Sequence, residues 1–91
     1  MKYNQNTLDK LESILDESNY VYRYERGNFQ SGFCVLELKR VVVLNKFLST
    51  EGRINTLIEL LPILSITYDT LSPLSKKTYD EAMEKLQVLK L

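Results

Sequence analysis

An α+β fold of order α-β-β-β-α-α is what this 91-residue chain predicts, and three observations carry the prediction. Apolar residues recur at helical spacing both before Tyr20 and after Ser49. Between those stretches, Tyr20–Leu44 contains three extended runs separated by turn residues. One of them, R-V-V-V-L at Arg40–Leu44, is apolar at successive positions, so both faces of that strand need a dry neighbour.

The first helix is expected over about Thr7–Glu17. Leu8, Leu11, Ile14 and Leu15 form its apolar stripe, Asn6 stands at the N-cap, and Asp9 complements the dipole. Ser18 and Asn19 break it. Tyr20 to Glu25 then alternates, with Tyr20, Tyr22 and Tyr24 on one face and Val21, Arg23 and Glu25 on the other. G-N-F-Q-S-G at Gly27–Gly32 has the composition of a hairpin loop, and Phe33–Leu38 resumes the extended pattern. A short turn leads into the valine strand.

Ser49 or Thr50 caps the second helix, whose core stripe is Ile54, Leu57, Ile58, Leu61 and Leu64. Leu60 and Ile63 widen that stripe, and Pro62 ends or kinks the helix near Leu61. Ser65–Leu71 reads as a connection. The last helix has two candidate starts, Ser72 followed by Pro73, or Thr78 with Glu81 as a capping box. Tyr79, Ala82, Met83, Leu86 and Leu89 form its apolar face. The sheet is expected to be a three-stranded antiparallel meander with helices packed on it, which makes the valine strand an edge. The second sheet face is expected to be apolar around Cys34, Leu36 and Val41 to Leu44, closed by the first helix or by another subunit.

Composition bounds the function. Ninety-one residues are read as one domain, 1–91. Twelve basic and twelve acidic residues cancel, so no global field draws the chain to nucleic acid or an anionic surface. Charge is uneven locally: Asp9, Glu12, Asp16 and Glu17 crowd the first helix, while bases outnumber acids between Arg23 and Arg53. One cysteine permits no internal disulfide, and no apolar run approaches the roughly 20 residues of a membrane span. A reducing cytoplasmic location is the default expectation. With no histidine, the commonest general base and metal ligand are missing. No cofactor and no metal site are expected, and the chain is read as a non-enzyme. Cys34, between Phe33 and Val35, is read as a buried, unreactive thiol, because nothing nearby in sequence would activate it.

The run G-N-F-Q-S-G-F-C-V-L-E-L-K-R-V-V-V-L and its continuation to Leu61 resembles small, functionally uncharacterised bacterial proteins. The strand-then-helix layout is also similar, distantly, to minimal zinc metallopeptidases of the H-E-x-x-H type. Glu59 and Ile63 stand where the two histidines would fall, and Leu60 where the catalytic glutamate would. The resemblance therefore implies layout without zinc chemistry.

Two functional expectations follow. The first is an interaction or structural protein that homodimerises or binds a partner chain through strand 40–45 and helix 51–64. Its interface candidates are Val41, Val42, Val43, Leu44, Leu60, Ile63 and the loop residue Phe29. The second is a small-molecule binder with a pocket between the tyrosine strand and a helix, using Tyr20, Tyr22, Tyr24 and Asn28. A tyrosine platform for single-stranded nucleic acid is a third, weakened by the zero net charge.

Overall fold

The computed structural model describes residues 1–26 and 33–89, which form helix α1 (Gln5–Glu17), strands β1 (Val21–Glu25), β2 (Phe33–Leu36) and β3 (Val41–Asn45), and helices α2 (Thr50–Leu60) and α3 (Pro73–Leu89). One-turn 3₁₀ segments at Glu37–Lys39 and Tyr68–Thr70 join them. The α+β class and the element order are those expected. The sheet is not the antiparallel meander: its order is β1-β3-β2, with β1 parallel and β2 antiparallel to β3. β3 is therefore the central strand, not an edge. Burial decides this, because a strand apolar on both faces loses least water-exposed hydrocarbon when neighbours flank it on both sides. The hairpin loop, with Asn28 and Phe29, lies outside the described residues.

Alternation then sorts the sheet. Tyr20, Tyr22, Tyr24, Phe33, Val35, Val42 and Leu44 join one apolar cluster with Leu8, Leu11, Ile14 and Leu15 of α1, Ile54, Leu57 and Ile58 of α2, and Ala82 of α3. All three helices thus pack on the same face. α1 packs on this face too, so among the described residues no helix lies on the second face, contrary to one of the two closures expected.

Local chemistry accounts for the helix ends. Asn4, not Asn6, caps α1, accepting from the Thr7 N–H at 3.0 Å. That choice puts Tyr3 and Leu8 at the two positions of a hydrophobic staple, and both contribute to the core. α1 closes in a Schellman motif: the Tyr20 N–H reaches the Leu15 carbonyl (2.9 Å), the Asn19 N–H reaches that of Asp16 (3.2 Å), and Asn19 takes φ 62°. Ser49 caps α2 through the Gly52 N–H. α2 ends at Leu60, ahead of Pro62 as expected. α3 begins at Pro73, so Thr78 is an interior residue whose hydroxyl donates to the Leu74 carbonyl.

Tyr20, at the junction of α1 and β1, ties distant segments together. Its hydroxyl donates to Glu37 Oε1 (2.5 Å) and accepts from the Ser65 N–H (2.8 Å). Arg40 lies over its ring at 4.2 Å and donates to the Ser18 carbonyl at 2.6 Å. Arg40 holds φ 51°, a left-handed backbone that costs a non-glycine residue of order 1 kcal/mol. The stacking and the carbonyl bond offset that cost. A second tie joins helices: Glu17 at the end of α1 accepts from the Ser72 N–H (2.7 Å) and from the hydroxyls of Ser72 (3.0 Å) and Ser75 (2.6 Å) at the start of α3.

Tyr20→Phe removes one hydroxyl and leaves the Ser65 N–H without that acceptor, so urea unfolding should show a loss of about 1–3 kcal/mol. The Glu17 carboxyl is held below its usual value, first by the Ser72 N–H and then by the Ser75 hydroxyl. A lowered carboxyl value means stabilisation that is present above the unfolded-state value of about 4.3 and disappears as pH falls through the folded-state value. The stability difference between wild type and Glu17→Gln, followed by thermal melts, should be constant near neutrality and shrink in acid. A difference that grows in acid would contradict the tie.

Candidate interaction surface on the open sheet face

Strand register builds the uncovered face row by row. Val21, Val41 and Leu36 are aligned across the three strands, then Arg23, Val43 and Cys34, then Glu25 and Asn45. None of these eight residues belongs to the apolar cluster under the helices. Val21 is 56% exposed and Leu36 42%, whereas Val43, in the middle of the central strand, is only 8% exposed. Arg23 and Glu25 approach to 3.8 Å at the rim, both well exposed. Such a surface pair adds little stability and marks the polar margin of the patch. Leu38, in the turn after β2, is fully exposed and extends the apolar surface beyond Leu36. A shallow, open depression lined by Val35, Leu36, Glu37, Leu38 and Lys39 follows the end of β2 and the turn after it.

The expected interface residues are not brought together as one surface. Val41 and Val43 lie on the open face. Val42, Leu44 and Leu60 are fully buried under the helices and present nothing to a partner, and Ile63 is exposed in the turn after α2. Because β3 is bonded on both sides, it offers no free edge. Sequence reasoning passed over Val21 and Leu38. Val21 was detectable as the residue opposite the tyrosines; Leu38 was assigned to a strand that in fact ends two residues earlier.

The tyrosine side is filled rather than open. Tyr20 is buried with its hydroxyl bonded twice. Tyr24 donates to the Glu12 carboxylate of α1 and lies under Arg53 at 4.1 Å. Burial, then the bond to Glu12, pushes its phenol far above the usual range. Tyr22 meets Tyr24 edge to face, 6.3 Å between ring centres, and is raised first by burial and then by the charges of Glu12, Asp16 and Asp9. Tyr20 belongs to the core cluster, and Tyr22 and Tyr24 pack against it. A second, polar cleft of about 160 Å³ lies elsewhere, between the N-terminus, α1 and α3. Cys34 is half-buried on the open face. Among the described residues no group of three or more His, Cys, Asp or Glu side chains is placed to hold a metal, and no helix is long and apolar enough to cross a membrane.

Compared with family models, curated proteins and solved structures, the chain matches none.

The two faces should respond differently to truncation. Leu44→Ala, under the helices, should cost about 2–5 kcal/mol, while Leu36→Ala should stay within about 1 kcal/mol. Equal losses at both positions in chemical denaturation would mean that the open face is covered in the isolated chain.

Proposed function

We propose that this chain is a non-catalytic interaction module that associates, as a homodimer or with a partner chain, through the open face of its sheet. The observation that carries the reading is the one-sided helical layer: it leaves Val21, Leu36, Val41 and Leu38 as a continuous apolar surface on a sheet otherwise well packed. Isolated apolar side chains on a protein surface are ordinary; several in adjoining positions mark a contact surface. This reading keeps association as the function and moves it from the valine strand's edge and α2 to the sheet face.

The test places a photo-crosslinking amino acid at position 36 or, as a control, at position 88, an exposed site on α3. Discrete crosslinked species are expected in cells from position 36 and not from 88. Sedimentation from about 1 µM to about 1 mM separates self-association from capture of another chain. A chain that is monomeric throughout and gives no crosslink from position 36 overturns the reading.

A further inference from the structure

Away from the sheet, α1 and α3 border the polar cleft of about 160 Å³. Helical spacing builds its walls: Asn6, Thr7 and Lys10 share one face of α1, Thr78 and Glu81 share one face of α3, and the exposed Lys2 completes the rim. The space equals that of about five waters and falls short of the roughly 300 Å³ at which drug-sized sites begin. Only a molecule of under about ten heavy atoms fits.

Thr7 is 8% exposed, and its hydroxyl makes no hydrogen bond among the described residues, although its N–H is bonded to Asn4. The one unpartnered side-chain oxygen sealed from solvent among those residues is that of Ser18. The Thr7 oxygen therefore keeps an opening, and the opening is the cleft it lines. A nearly buried hydroxyl gains most from a partner that enters the same recess. The charges around it are also unpaired. Lys10 and Glu81 are half-buried, yet the only ion pair among the described residues is Arg23 with Glu25. The two walls differ in kind. α1 offers donors: Lys10, the neighbouring Lys2, and the Gln5 and Asn6 N–H groups, which have no partner within the helix. α3 offers acceptors: the Glu81 carboxylate, and the Thr78 oxygen, whose hydrogen goes to the Leu74 carbonyl and whose lone pairs stay available. A simple anion meets Glu81 unfavourably, and a simple cation meets the lysines. A small molecule carrying both charges satisfies both walls.

We infer that the cleft binds a free α-amino acid with a small side chain, its carboxylate at the α1 wall and its ammonium on Glu81 and Thr78. The site shares no residue with the open sheet face, so it stands or falls apart from the association reading. The probes are glycine, L-alanine and L-threonine, titrated onto the full chain at constant ionic strength and followed through the backbone amide resonances of Asn6, Thr7 and Thr78. At least one should give saturable shifts with a Kd below about 10 mM. Acetate and methylammonium, with one charge each, should bind at least about tenfold more weakly. Lys10→Met and Glu81→Gln, each confirmed folded by circular dichroism, should each weaken the amino acid at least about tenfold, and Lys39→Met should not. The absence of any saturable shift overturns the inference, and so does binding indifferent to both substitutions. Acetate or inorganic phosphate that binds as tightly as the amino acid, and more tightly in Glu81→Gln, makes the cleft a simple anion site and overturns it as well.

Discussion

The position of Val41–Asn45 between the other two strands is the constraint on which the rest of the molecule depends. A strand apolar on both faces and flanked on both sides places β1 and β2 at opposite edges of the sheet. It also divides the chain's apolar side chains into two unequal sets. The tyrosines, Val42 and Leu44 receive three helices, while Val21, Leu36, Val41 and Val43 receive none.

What locks this arrangement is polar and local. The Schellman turn after α1 delivers Tyr20 into the core, and its hydroxyl then joins the β2–β3 turn, through Glu37, to the segment after α2, through Ser65. The left-handed Arg40 belongs to the same knot, because its guanidinium closes over the Tyr20 ring and reaches back to Ser18. β1 and β3 are thus fixed at their amino ends by side chains as well as by their ladder. Glu17 performs a comparable role between helices, where one carboxylate bridges α1 and the first turn of α3.

Much of this was legible in the sequence, for physical reasons that also explain what was not. Helical periodicity, the stop at Pro62 and the start at Pro73 are local properties, and the helices form close to where those signals place them. Asn4 and Asn6 are chemically equal as caps, and only the docking of Tyr3 and Leu8 chooses between them. Thr78 with Glu81 has the spacing of a helix start but lies inside α3, since Pro73 had already opened it. Strand neighbours are not a local property: alternation marks β1 and β2 as strands and says nothing about which pairs with which. The glycines at 27 and 32 therefore read as a hairpin between strands that are not adjacent. For the candidate surface, the alternation of Val21, Arg23 and Glu25 against the tyrosines was visible, but which face the helices would leave bare depends on three packing choices made far apart in the chain.

The parallel register of β1 and β3 has a kinetic consequence. Leu36 meets Val41 after a turn of four residues, whereas Val21 meets Val41 across twenty positions, with β2 in between. Closing the longer loop costs more chain entropy and gains its contacts only once β3 is extended. Chain entropy therefore favours the β2–β3 ribbon as the first part of the sheet to pair, ahead of the tyrosine strand.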